Sequence, residues 1–174
     1  MAIYAFEGRE PVIHHSAYMH ESAQVIGDVV LGEECFVGAG SIIRGDYSSI
    51  RLGDRVAVEE GCIIHAPPGE TGSIGSDVTL GHGAIIHGSQ IGDNVRIGMG
   101  AITGFHSVIE DWVILGDGAV LPPKKTLSGG MVYMGNPAKE VRLLSDDERV
   151  ASGFVVRLYA DLAGRYHRGL RRLS

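Results

Sequence analysis

Val25-Ile-Gly-Asp-Val-Val30, Leu31-Gly-Glu-Glu-Cys-Phe36 and Val37-Gly-Ala-Gly-Ser-Ile42 are three successive blocks of six residues, each led by an aliphatic side chain. The frame continues at Ile43 and resumes at Leu52, Val58, Ile64, Ile74, Leu80 and Ile86. After one block of five it runs on at Ile91, Ile97, Thr103, Ile109, Leu115 and Leu121. Only Thr103 departs from an aliphatic lead. Gly follows the lead residue at Gly32, Gly38, Gly53, Gly75, Gly81, Gly92, Gly98, Gly104 and Gly116. The fifth place is mostly small, as at Cys35, Ser41, Cys62, Ala84, Ala101, Ser107 and Ala119.

An α-helix repeats every 3.6 residues and a strand every two, so neither explains a period of six. A large lead residue and a small one four places later can both point inward at the corner of a coil. Gly in second place suits a positive φ or a close approach of backbones. The pattern resembles the hexapeptide repeat of left-handed parallel β-helices, in which three blocks make one triangular coil of 18 residues. We therefore expect an all-β fold, a left-handed parallel β-helix of about five triangular coils. It would occupy residues 25–121 of a single domain, after a lead-in at 1–24 with a short strand at Met1-Ala-Ile-Tyr4. A connecting segment, 122–144, leads to a C-terminal α-helix at 145–172. There Ser145-Asp-Asp-Glu148 reads as a capping box. Val150, Phe154, Val155, Leu158 and Leu162 follow at helical spacing, and the helix is expected to pack alongside the coils.

Composition agrees. The chain of 174 residues carries 26 glycines, about twice average usage, without a collagen period. Hydrophobic residues at 44% can fill a core, and aromatics are only 6%. The formal charge of −6 argues against nucleic-acid binding. No stretch reads as a secretory signal or a membrane span. A cytoplasmic protein with no membrane partner is expected. Cys35 and Cys62 fall in the inward slot and read as core residues.

Two insertions interrupt the frame, at 46–49 and at 67–72, and solenoid insertions become loops on one face. They also make the register a ruler. Ile43 to Ile64 is 21 residues, one coil plus three; Ile64 to Ile86 is 22, one coil plus four. Arg44, His65 and His87 thus share one place in three successive coils, spaced by about 4.8 Å. Two stacked imidazoles can lean toward one metal ion. His82 takes the third place of its block, on another face, where Glu60 stands one coil earlier. It would reach the His65/His87 pair only across a contact between copies. His14, His15, His20, His106 and His167 read as surface or loop residues.

Taken together, Arg44-Gly-Asp46, Ile50-Arg-Leu-Gly-Asp54, His65, Leu80-Gly-His82-Gly-Ala-Ile-Ile-His87-Gly, Ile91-Gly-Asp and Ile97-Gly-Met-Gly-Ala resemble the γ-class carbonic anhydrase family, which includes proteins of phenylacetate and carnitine operons. Ile3-Tyr4, Gly8, Pro11-Val12 and Gly135-Asn-Pro-Ala-Lys139 resemble that operon branch. The resemblance implies a homotrimer with a metal at each interface, held by His65 and His87 of one copy and His82 of the next. Zn²⁺ is the default, with Fe²⁺ or Co²⁺ as alternatives, and a metal-bound hydroxide would hydrate CO₂ to bicarbonate. Arg44 and Asp46 match a bracing pair. Glu59 stands where the family usually carries Gln, and Tyr159 matches a helix tyrosine near the site. Departures weaken the hydratase more than the metal site: Glu70 is the only acid of a short second insertion, and Tyr47 replaces an acid. The alternatives are a metal-dependent thioesterase, a non-catalytic trimeric metal-binding scaffold, and a hexapeptide acyltransferase. The last needs a histidine free of metal.

Overall fold

The computed structural model describes residues 2–173; Met1, part of the expected first strand, lies outside them. The blocks fold as a parallel β-helix, as their period predicts. Short strands stack in register into three ladders, one per face. The first face carries Ile63–His65, Ile85–His87, Ile102–Thr103 and Val120–Leu121. The second carries Gly72–Ile74, Gln90–Ile91, Val108–Ile109 and Thr126–Leu127. Two long strands, Gln24–Leu31 and Ile42–Leu52, run round the corner between these faces and belong to both. The third face stacks Tyr18–Met19, Phe36–Val37, Ala57–Val58, Thr79–Leu80, Arg96–Ile97, Ile114–Leu115 and Met131–Met134. Stacking therefore extends into segment 122–144, where Lys139–Leu143 adds an antiparallel edge strand.

Lead and fifth-place side chains fill the prism, and most are inaccessible to solvent. The positive φ falls on the fourth place of the block, not the second: Glu34, Gly40, Arg55, Gly61, Asp77 and Gly83 all adopt it. The second-place glycines answer a different demand. A Cβ on Gly81 would lie 2.7 Å from the Met99 nitrogen of the next coil, inside any real contact. Asp side chains tie coil to coil at one corner. Asp54 accepts from the Glu33 N–H at 2.8 Å, and Asp93 from the Ser76 N–H at 2.7 Å.

The exceptional lead residue Thr103 belongs to a buried hydroxyl cluster. Ser89 Oγ donates to Thr103 Oγ1 at 2.7 Å and lies 2.8 Å from Ser107 Oγ, all three fully buried. Ser89 sits in the one five-residue block. The shortened block places a hydroxyl in the core, and Thr103 and Ser107 satisfy it.

The helix Asp146–Gly169 carries the expected capping box, with Ser145 and Glu148 bonded reciprocally. It packs on the third face, but only in part by the expected stripe, of which Leu162 makes the contact. Val150, Phe154 and Leu158 are exposed, whereas Val156 and Ala163 are buried. Tyr18 and Phe36 project from the third face and pack against Tyr159, Leu162, Ala163 and Tyr166. Ring-to-ring contact, worth more than aliphatic contact of equal area, sets the helix rotation.

Candidate functional site

The in-register ladder of the first face places Arg44 opposite His65 and His65 opposite His87. The two imidazoles stack, with centroids 5.5 Å apart and planes 15° from parallel. Tyr47 abuts His65 edge-on at 6.4 Å and Phe105 abuts His87 at 6.3 Å, making a row of four rings. Asp46 holds one end. Its Oδ2 accepts from Arg44 Nη1 at 2.5 Å, its Oδ1 accepts from the Tyr47 N–H at 2.8 Å, and Oδ1 lies 3.3 Å from His65 Nε2. Burial opposes ionisation of Asp46, but the Arg44 hydrogen bond and the Tyr47 N–H outweigh it and hold the carboxyl below the ordinary range. His65 is lowered, first by burial and then by the Arg44 charge. From the N-terminal hairpin, Arg9 Nη2 donates to the Asp46 carbonyl at 2.6 Å. Sequence reasoning missed Arg9 and Phe105, because neither shares the repeat place of His65 and His87.

His82 lies elsewhere, in the turn after Thr79–Leu80. Its backbone N–H donates to Glu59 Oε2 at 3.0 Å, its Nε2 lies 3.1 Å from the same oxygen, and its Nδ1 lies 2.7 Å from Glu60 Oε2. The ring is half exposed, 49% on the side chain, while Glu59 is 7% exposed. Tyr159 reaches down from the helix toward this group. Burial, then the neighbouring Glu59 carboxylate, pushes its phenol well above the usual range. A carboxylate faces each ring nitrogen, so the two together fix the ring plane.

The thiols take no part. Burial pushes Cys62 up to about 12 and Cys35 up to about 11, and a thiol so raised is a poor nucleophile or ligand.

Within one chain, Arg44, Asp46, His65 and His87 come together; His82, Glu59 and Tyr159 form a second group. Among the described residues, no three His, Cys, Asp or Glu side chains of the single chain are arranged to hold a metal ion. No helix of the described residues is long and apolar enough to cross a membrane.

The architecture defines a hexapeptide-repeat protein, and comparison with known proteins agrees. A family model for the hexapeptide repeat of succinyl-transferase matches residues 28–66 and 73–102. The carnitine operon protein CaiE of Escherichia coli K12 is 35% identical over 173 residues, covering 96% of this chain and 85% of that protein. Among solved structures, a candidate acetyltransferase of Bacillus cereus is 31% identical with a TM-score of 0.93, covering 95% of this chain and 96% of that one. A hexapeptide transferase family protein of Anaplasma phagocytophilum is 28% identical with a TM-score of 0.91, covering 95% and 98%. The chain belongs to the hexapeptide-repeat family that includes CaiE.

These findings overturn one expectation. The carbonic anhydrase reading, a lyase acting on CO₂, is corrected: the near-complete structural matches are described as transferases, not as carbonic anhydrases. The physical reason is that the histidine spacing is imposed by coil geometry. That geometry is common to proteins of different chemistry, and fold does not carry function.

Proposed function

We propose that the chain is an acyltransferase that moves an acyl group from a thioester donor to a hydroxyl or amine, with His82 as general base. The observation that carries this reading is the His82 ring, half exposed and held at 3.1 and 2.7 Å by Glu59 and Glu60. A base oriented by a buried carboxylate is the arrangement that activates an O–H or N–H nucleophile. Half-exposed Glu60 gives way to the acceptor at Nδ1, and His82 takes the acceptor proton there as the acceptor attacks the thioester carbonyl. The tetrahedral intermediate collapses, the C–S bond breaks, and the imidazolium returns the proton to the thiolate. Glu59 stabilises the imidazolium and Tyr159 keeps Glu59 in place. The kinship with transferase-family proteins supports the same class.

The working unit in this reading is a homotrimer. The first face offers an outward aliphatic ladder beside the histidine column: Ile42, Ile63, Ile85, Ile102 and Val120 lie in register, and Ile63 and Ile102 are exposed on the single chain. Such a stripe is suited to burial against another copy.

The test is thiol release from acetyl-CoA with a panel of amine and alcohol acceptors. His82→Ala is expected to lower turnover by about 10²–10⁴-fold, the usual worth of a general base. Unchanged turnover in that variant would sink the assignment.

The stack of His65 and His87 favours a second reading, a metal-binding scaffold. The two imidazoles fit a borderline ion such as Zn²⁺, Fe²⁺ or Co²⁺, with His82 of a second copy as third ligand. A bound ion would polarise a carbonyl oxygen. About one metal per chain, lost in His82→Ala, would favour this reading over a free His82 base.

A further inference from the structure

The insertion at 67–72 leaves the first face just after His65 and returns as the strand Gly72–Ile74 on the second. It does not hang free. Glu70, only 13% exposed on its side chain, brings Oε1 to 2.9 Å from His106 Nε2, and its Oε2 accepts from the His106 backbone N–H at 3.4 Å. The Glu70 N–H in turn donates to Ser48 Oγ at 3.3 Å, and the Ser48 hydroxyl donates to the Pro67 carbonyl at 2.8 Å. The strap is seated on Gly88, the residue after His87. A Cβ at Gly88 would come within 2.6 Å of Pro67 Cδ and 2.9 Å of Glu70 Oε2, and Gly88 also adopts φ +65°. The Gly88 N–H donates to the His65 carbonyl at 2.8 Å. The strap, its latch and the two stacked histidines are thus joined through one glycine.

We propose that Glu70 and His106 are positioning residues. Their hydrogen bond latches residues 67–71 against Gly88 and so sets how open the His87–His65 pair is to incoming molecules. Two features set this contact apart from an ordinary surface pair. The carboxylate is largely buried although the histidine is half exposed, so the acid has been brought to the coil rather than left in water. The seat is also shaped for it, since any side chain at Gly88 would displace both Pro67 and Glu70. Gly69, beside the latch at φ +82°, gives the strap a point about which to swing. The first insertion is drawn in through Ser48, so the two interruptions of the repeat act as one rim.

The experiment uses the full chain, with two readouts that require no turnover. Backbone amide exchange would be followed by mass spectrometry over 67–72, and carbethoxylation of His87 by diethyl pyrocarbonate would be timed against His20 as internal reference. Glu70→Ala and, independently, His106→Ala are expected to speed strap exchange about tenfold, the consequence of losing one charge-assisted hydrogen bond. Both variants should also speed modification of His87 several-fold while His20 is unchanged. Glu70→Gln, which keeps an acceptor oxygen, should fall between. Ser48→Ala, which loosens the strap from its other side, should act in the same direction on both readouts. Unchanged strap exchange in both latch variants overturns the latch. Faster exchange with His87 modified at the wild-type rate overturns its control of access. A failed transferase assay leaves both results readable.

Discussion

His65 and His87 face each other across one strand spacing and are held by ring stacking, whereas His82 has no imidazole neighbour among the described residues and is held by carboxylates. Both groups come from the same repeat. The first lies on a flat face, where every coil offers the same outward place and like side chains stack. The second lies at a corner, where the backbone turns and side chains of successive coils converge. Glu59 and Glu60 close on His82 from one coil earlier, and the helix adds Tyr159 from outside. A face thus builds columns of like residues, suited to sharing an ion or a flat surface. A corner builds a small polar cluster around one group, suited to proton transfer.

The sharpest way to break that contrast is by activity. His82→Ala should abolish most acyl transfer, by the 10²–10⁴-fold given above, while His87→Ala should leave the corner chemistry within about tenfold of wild type. An equal loss in both would show that the two groups work as one site. Next in size is stability at the corner. Glu59→Ala strands the His82 N–H, and should lower unfolding free energy by about 1–3 kcal/mol in a urea titration.

On the face, Asp46→Asn should cost about 1–2 kcal/mol at neutral pH, since it weakens the Arg44 pair and the His65 contact. Here the sign is set by the lowered carboxyl of Asp46. A group whose folded-state pKa is depressed contributes stability that is present above the unfolded carboxyl value and lost as pH falls through the folded one. The difference between wild type and variant should therefore be full at pH 7 and shrink below about pH 4. A difference that persists unchanged to pH 2 would show that packing, not charge, holds Asp46. The smallest effect belongs to the helix cap, which serves the corner only by presenting Tyr159. Ser145→Ala should cost about 1 kcal/mol, read as a small fall in melting temperature with the His82 chemistry intact.

Much of this was legible in the chain. The six-residue period specifies the coil, because lead and fifth places must both be buried. Counting insertions placed Arg44, His65 and His87 in one column, because parallel strands in register turn sequence distance into stacking. The separation of His82 from that pair and its shared position with Glu60 followed from the same count, but the structure puts His82 in a corner turn, not on a face. The role of the second-place glycines was half legible: close approach was foreseen, but the positive φ belongs to the fourth place. The buried stripe of the helix was only partly legible: Leu162 packs as expected, but the choice between Phe154 and Tyr159 depends on what the third face presents. The carbonic anhydrase expectation failed for a related reason, since a spacing imposed by the coil is shared by proteins of different chemistry.

The sequence by itself determined the coil, its register, its insertions and the capped helix. These are local or periodic properties, written wherever hydrophobic burial repeats along the chain. Only the tertiary structure decided that Tyr159 meets Glu59, that Arg9 reaches Asp46 across 37 residues, and that Glu70 closes on His106 over Gly88. Those contacts join segments outside a common repeat place. No periodicity relates their positions, and they form only when the faces, corners and helix have packed.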